Sequence, residues 1–97
     1  MNNGSPEMLT LGFGQYIPKD DVIGIYDITI NWMRLYVKRL LQTKPLDIMD
    51  CTCARPRKTM IETKYKLYLS SYPVDVMVRM YQDRITLEDE NEMKSIE

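Results

Sequence analysis

A short basic segment is the part of this chain whose residue types and spacing best support a chemical role. Arg55, Arg57 and Lys58 occupy three of four consecutive positions, and Pro56 separates the two arginines. A cationic strip of this kind on a small domain favours an anionic partner, above all nucleic acid. The alternative is a solvated sheet edge, where cations and a proline prevent unwanted strand pairing.

Charge is divided unevenly along the 97 residues. The net charge is -1, yet residues 83–97 carry -4 and residues 1–82 carry +3. We expect a flexible N-terminus at 1–7, one domain at 8–82 and an acidic tail at 83–97. The tail is either a solvated end or a segment that screens the basic surface of its own domain.

The chain lacks the residues that many catalytic and metal sites require. It has no His, which removes Ser-His-Asp and Cys-His triads. No pair of carboxylates lies in an apolar stretch that would raise a pKa. Cys51 and Cys53 are the only cysteines, too few for a structural zinc site, and we expect reduced core thiols facing the same side. We therefore expect no enzyme activity, cofactor, metal or small-molecule substrate.

The distribution of apolar residues also bears on location. No window reaches about 18 consecutive apolar residues, and residues 1–7 have neither a basic start nor an apolar core typical of a leader. The expectation is a cytoplasmic protein without a membrane partner.

Apolar runs predict short, closely spaced strands within residues 8–11, 16–17, 22–26, 46–53, 59–63 and 67–70. Residues 22–26 are nearly all apolar and are predicted to form a central strand, in which Gly24 indicates close approach by a helix or a neighbouring backbone. Gly12 and Gly14 permit positive φ in a turn that Phe13 anchors.

Helical periodicity predicts two helices, at about 31–43 and 73–82. Asp27 or Thr29 is a candidate cap for the first helix, and Pro45 ends it. The predicted buried stripes are Met33, Tyr36, Val37, Leu40 and Leu41 in the first helix, and Val74, Met77, Val78 and Tyr81 in the second. The predicted fold class is α+β, a small, mostly antiparallel sheet with two helices.

Two groups on or near the first helix are candidates for binding. Lys38 and Arg39 lie off its apolar stripe, so they are either solvated or second contacts for an anion. Trp32 lies beside the stripe, a position typical of peripheral packing or subunit contact. Tyr65 and Tyr72 are also expected at the surface, where they are compatible with self-association.

Three segments in order resemble a known family, the bacterial extracellular-matrix regulatory proteins called RemA and RemB. The likeness covers about residues 8–82. The segments that carry the likeness are Leu9-Thr10-Leu11-Gly12-Phe13-Gly14 followed by Ile17 and residues 22–25, then Asp50-Cys51-Thr52-Cys53-Ala54-Arg55-Pro56-Arg57-Lys58, and Leu67-Tyr68-Leu69-Ser70-Ser71 with residues 73–81.

The resemblance implies a DNA-binding transcriptional regulator of matrix and biofilm genes, with a fold similar to LytTR-type domains. It also implies a ring-like homo-oligomer that presents arginines to double-stranded DNA. Carried onto this chain, the nucleic-acid contacts are Arg55 and Arg57, with Lys58 in support. The chain departs from the RemA-like pattern at Ala54 and Pro56, and at Asp21, where an arginine is frequent. The start of the second apolar run at Asp20-Asp21, its end at Tyr26-Asp27 and the Pro-containing basic turn resemble RemB more closely.

Two functions from different classes follow from these residues. The first is the oligomeric DNA-binding regulator, in which Lys38 or Arg39 supplements the basic turn. The second is a protein-interaction or scaffold module without DNA binding, in which the same surface and the tail recruit another protein. An enzyme is a distant third possibility, and it would have to use a carboxylate such as Asp20, Asp27 or Asp50.

Overall fold

The computed structural model describes residues 7–82. Its elements are β1 (Met8–Gly12), β2 (Gln15–Pro18), β3 (Val22–Asp27), α1 (Asn31–Thr43), β4 (Ile48–Asp50), β5 (Thr59–Thr63), β6 (Leu67–Ser70) and α2 (Val74–Gln82). Short 3-10 turns at Lys19–Asp21 and Pro45–Asp47 precede β3 and β4. The acidic tail predicted at 83–97 and most of the N-terminus predicted at 1–7 lie outside the described residues.

The strands form a four-stranded sheet and a separate hairpin. The sheet has the order β3-β5-β6-β4, in which only β4 and β6 run parallel among its pairs, while β1 and β2 form an antiparallel hairpin. Together with two helices, this arrangement confirms the predicted α+β class with a mostly antiparallel sheet.

Each face of the sheet has its own hydrophobic cluster. Met60 and Leu69 point to one face and pack with Met33 and Val37 of α1. Ile61, one residue on in β5, points to the other face, where its cluster includes residues of the hairpin and of α2. The inner strands β5 and β6 are therefore covered on both sides, with α1 on one face and the hairpin and α2 on the other.

Buried hydroxyl groups tie the hairpin and the start of α2 to the sheet. Ser70 donates to the carbonyl of Leu11 at 2.9 Å and accepts from the amide of Tyr72 at 3.1 Å. Thr59 donates to the carbonyl of Tyr72 at 2.6 Å. These bonds fix Tyr72, which is buried and therefore not the surface residue that we predicted.

Strand β3 is an edge strand, which corrects the prediction that residues 22–26 form a central strand. Ile23 and Tyr26 are exposed, and the Tyr26 hydroxyl donates to Glu62 of the neighbouring strand at 2.8 Å. A methyl group at Gly24 would lie 2.5 Å from that hydroxyl oxygen. The close approach at Gly24 is therefore made by a side chain, rather than by a helix or a backbone.

The bounds predicted for both helices are close to those observed, but their buried faces differ in part. In α1, Met33 and Val37 are buried, whereas Tyr36 is exposed. In α2, Met77 is buried as predicted, but Tyr81 is exposed and Met80 is buried instead. Each helix packs with a narrower stripe than its apolar content indicates.

The predicted cap of α1 and the predicted strand at 46–53 also need correction. Ile30 occupies the cap position without a side-chain hydrogen bond, because Asp27 instead accepts from the amide and hydroxyl of Thr29 at the end of β3. The strand contains only Ile48–Asp50, since a 3-10 turn begins at Pro45 and the chain turns after Asp50.

Candidate nucleic-acid interface

The basic residues lie in the loop 51–58, which connects β4 to β5. The amide of Arg55 donates to the carbonyl of Thr52 at 3.0 Å, closing a tight turn. Its two central residues, Cys53 and Ala54, have φ of 51° and 67°. Left-handed backbone is unfavourable for residues with a Cβ, so the surrounding contacts must hold this turn in place.

Asp50 supplies several of these contacts. One of its carboxylate oxygens accepts from the amide of Thr52 at 3.0 Å and from the Thr52 hydroxyl at 2.6 Å. The other accepts from Nε of Arg57 at 2.9 Å and lies 2.9 Å from its Nη2. Burial opposes ionisation of Asp50, but the hydrogen bonds from Thr52 and Arg57 outweigh it and lower the pKa of that carboxyl.

Arg55 is placed by the neighbouring hairpin. Its guanidinium carbon lies 5.1 Å from the centre of the Phe13 ring, a cation–π arrangement. Phe13 is at the tip of the β1–β2 turn with φ of 55°, between Gly12 and Gly14 at 98° and 79°. The predicted positive-φ turn is confirmed, and Phe13 packs on a cation of the basic loop.

Helix α1 brings a second group of cations to the loop. Arg34 lines an open depression of about 560 Å³ together with Asp50, Thr52, Arg55 and Arg57. A second recess, which shares Arg34 and Arg57 with the depression, is also lined by Lys38 and by the buried side chains of Ile28 and Val37. We call Arg34, Lys38, Arg55 and Arg57 the basic surface.

The basic surface contains three of the five predicted contact residues. Arg55, Arg57 and Lys38 belong to it, whereas Arg39 lies beside Trp32, Leu35 and Tyr36 on another side of α1. Lys58 lines neither recess of the basic surface. Its amide donates to Ser70 and its carbonyl accepts from Ile28, so its backbone extends the sheet.

Arg34 was not among the predicted contacts, although the sequence contains a signal for it. Arg34 and Lys38 are four residues apart, and such pairs share one helix face. The amide oxygen of Asn31 accepts from Nη2 of Arg34 at 2.6 Å, which orients its guanidinium. The sequence alone does not show that this face lies next to the loop.

Asp21 does not lie at the basic surface. Its carboxylate is 3.9 Å from Nζ of Lys64, and its carbonyl accepts from the Lys64 amide at 3.2 Å. This contact is at the end of β5 that pairs with Val22, whereas the basic loop enters β5 at its other end, at Thr59. The negative charge of Asp21 is thus separated from the basic surface by the length of a strand.

The two cysteines differ from each other, contrary to the prediction of two core thiols on one side. Both are free; Cys51 is buried and Cys53 is exposed. The chain is no longer extended at Cys53, so the alternation of a strand does not apply. Within residues 7–82, no group of three or more Cys, Asp or Glu side chains is placed to hold a metal ion.

No protein-family model matches the chain, and no curated protein matches it significantly. The helices of residues 7–82 are too short or too polar to cross a lipid bilayer.

Proposed function

We propose that this protein is a non-enzymatic, cytoplasmic regulator of transcription that binds double-stranded DNA as a homo-oligomer. The resemblance of residues 8–82 to RemA and RemB supports this role and favours extracellular-matrix and biofilm genes as its targets. The structural observation that carries the proposal is the convergence of cations from α1 and from the loop 51–58 around one open depression.

The charge balance of the basic surface favours an anion. Four cations surround one carboxylate, Asp50, and that carboxylate is already engaged by Thr52 and Arg57. Arg57 is therefore partly neutralised, and Arg34, Lys38 and Arg55 add three further cations to the basic surface. Guanidinium groups also match the geometry of phosphate oxygens better than ammonium groups do.

The openness of the basic surface favours phosphates of a backbone over a small enclosed ligand. Its cations lie on an exposed helix face and an exposed loop, where a duplex can approach without entering a cleft. Such contacts position a protein on DNA without choosing a sequence. Because one copy offers only about three or four phosphate contacts, its affinity is expected to be low and sensitive to salt. Several copies along one duplex would raise the affinity through effective concentration.

The deciding experiment is fluorescence anisotropy of a labelled duplex titrated with the protein. Binding should weaken steeply as salt rises from about 50 to 200 mM. Arg34→Glu and Arg55→Glu should each abolish most of it. The matched control is Arg79→Glu, which makes the same charge change at an exposed position of α2, on the opposite side of the sheet. Equal losses in all three variants would indicate a general charge effect and contradict the assignment of this surface.

A protein-interaction module is the second candidate function, and a different surface favours it. Leu46 and Tyr65 are 87% and 78% exposed. Tyr65 lines a groove that also contains apolar, basic and acidic side chains, among them Leu40, Lys44 and Glu62, a mixture suited to a polypeptide. Absence of duplex binding at low salt by an oligomeric protein would favour this candidate.

A further inference from the structure

Helix α1 has two apolar stripes, and only one of them packs in the core. Met33 and Val37 face the sheet with Leu40 and Leu41 partly buried beside them. Trp32, Leu35 and Tyr36 form the second stripe, which Arg39 continues by one further turn. These positions follow i, i+3, i+4 and i+7, so they share one face of the helix.

The side chains of the second stripe are about half exposed or more. Trp32, Leu35 and Tyr36 are 67%, 56% and 48% exposed. Together with Arg39 they line a shallow notch that shares no residue with the basic surface, although Tyr36 also borders the groove that contains Tyr65. Contiguous exposed apolar groups rimmed by a charge are typical of a binding site.

The order of residues within this stripe makes it complementary to itself. Trp32 and Arg39 lie at its two ends, seven residues and about 10.5 Å apart along the helix. If a second α1 packs antiparallel about a two-fold axis between Leu35 and Tyr36, Arg39 of each copy lies against Trp32 of the other. Arginine on an indole face is a favourable cation–π pair, and it would form twice. The same axis places Leu35 against Leu35 and Tyr36 against Tyr36.

We propose that the stripe Trp32-Leu35-Tyr36-Arg39 is the surface through which two copies of this protein pair, with their α1 helices antiparallel. This inference rests on the homo-oligomeric part of the proposed function and names its contact surface. It also assigns Arg39 to the partner copy instead of to phosphate, unlike the sequence-based prediction.

The size of the stripe indicates a weak pair. Stable interfaces bury about 800 Å² on each partner, whereas three partly exposed side chains supply roughly 300–400 Å². Association in the range of tens of micromolar or weaker is therefore expected. Arg34 and Lys38 lie on a different face of α1 from the stripe, so pairing would leave the basic surfaces of both copies open.

The first test uses Trp32, the only tryptophan of the chain. In sedimentation velocity without DNA, the wild-type protein should pass from monomer to dimer as concentration rises, and its tryptophan emission should shift to shorter wavelength over the same range. Leu35→Glu and Arg39→Glu should each raise the dissociation constant about tenfold or more. Ile23→Glu is the control, because it places the same charge at another exposed aliphatic side chain, on β3, and should leave association unchanged.

The second test is a cross-link that identifies the geometry. In a Cys53→Ser background, which removes the exposed native thiol, Leu35→Cys should form a disulfide-linked dimer under mild oxidation. Ile23→Cys, at an exposed position of β3, should remain monomeric in that background. Equal cross-linking of both variants would overturn the antiparallel α1 pair.

These experiments distinguish a failure of the proposed α1 pairing from a failure of the proposed DNA binding. A wild-type protein that stays monomeric at several hundred micromolar overturns the inference and the oligomeric part of the proposed function, while anisotropy still tests DNA binding. An oligomer insensitive to Leu35→Glu and Arg39→Glu overturns the inference alone. Arg55→Glu should pair like the wild-type protein, since its change lies outside the stripe.

Discussion

Arg57 and Asp50 form an ion pair in which Nε and Nη2 of the arginine both lie 2.9 Å from the same carboxylate oxygen. The other oxygen of Asp50 holds Thr52, so one carboxylate joins the beginning and the end of the basic loop. Arg57 thus positions the loop as well as contributing charge, whereas Arg55 packs on the ring of Phe13.

Asp50→Asn should lower the free energy of unfolding by about 1–2 kcal/mol, because it removes the ion pair and weakens the hydrogen bonds to Thr52. Urea denaturation followed by circular dichroism measures this loss. Asp20→Asn serves as the control, since Asp20 is an exposed turn residue and its substitution should stay within about 0.5 kcal/mol. Similar losses in both variants would contradict the central role of Asp50.

The stability of the protein should also fall in acid through Asp50. Its folded-state pKa is lowered, despite burial, by Thr52 and Arg57. Its ionised form therefore stabilises the fold fully above the unfolded pKa of about 3.9, and that contribution is lost as pH falls through the lower folded pKa. Asp27, whose pKa the hydroxyl and amide of Thr29 lower, acts in the same direction. Thermal unfolding between pH 6 and 2.5 should show a shallower decline in Asp50→Asn than in the wild-type protein.

Ala54→Gly should stabilise the protein slightly. Ala54 has φ of 67°, which costs a residue with a Cβ about 1–2 kcal/mol, whereas glycine adds about 0.4–1 kcal/mol of unfolded-state entropy. The expected net gain is about 0.5–1 kcal/mol in the free energy of unfolding. Ala54→Val should have the opposite effect, because a β-branched residue is more strained at positive φ. A loss of stability in the glycine variant would show that the turn differs from the one described.

Elements defined by local periodicity were predictable from the sequence, and those defined by long-range packing were not. The helices and the strands β5 and β6 follow from apolar spacing and from the breaks at Pro45 and Pro73. Helix α1, however, carries two apolar stripes in thirteen residues, and the sequence does not show which one faces the sheet. That ambiguity led to the wrong prediction for Tyr36.

The candidate site was predictable only in part, for the same reason. Arg55 and Arg57 stand out in the sequence as a basic turn. Arg34 lines the same depression as Arg55, although the two residues are 21 positions apart in the chain. The left-handed backbone of Cys53 and Ala54 could not be predicted from the sequence, because neither is a residue type that favours positive φ. Residues 22–26 were predicted to be central because an apolar run is typical of a buried strand.

Gly24→Ala should destabilise the protein mainly through Tyr26. The new methyl group would lie 2.5 Å from the Tyr26 hydroxyl oxygen, forcing the exposed ring to rotate away from Glu62. Loss of that hydrogen bond and of ring packing is expected to cost about 1 kcal/mol. A double-mutant cycle tests this cause: Gly24→Ala should cost much less in a Tyr26→Ala background. Equal costs in both backgrounds would place the effect in the backbone of β3.

Phe13→Leu should weaken DNA binding without altering net charge. The Phe13 ring lies under the guanidinium of Arg55, and an exposed cation–π contact is worth about 0.5–1 kcal/mol. Leucine keeps an apolar side chain in the same turn but lacks the ring, so Arg55 is less well positioned and affinity should fall about two- to fivefold. The dependence of affinity on salt should remain nearly unchanged, because the number of cations at the phosphates is the same.

Tyr65→Leu, which removes an exposed aromatic ring elsewhere, should leave DNA affinity intact. A clearly shallower salt dependence in Phe13→Leu would mean that Arg55 no longer contacts the DNA. In that case the Phe13 ring would be required for this arginine to bind DNA.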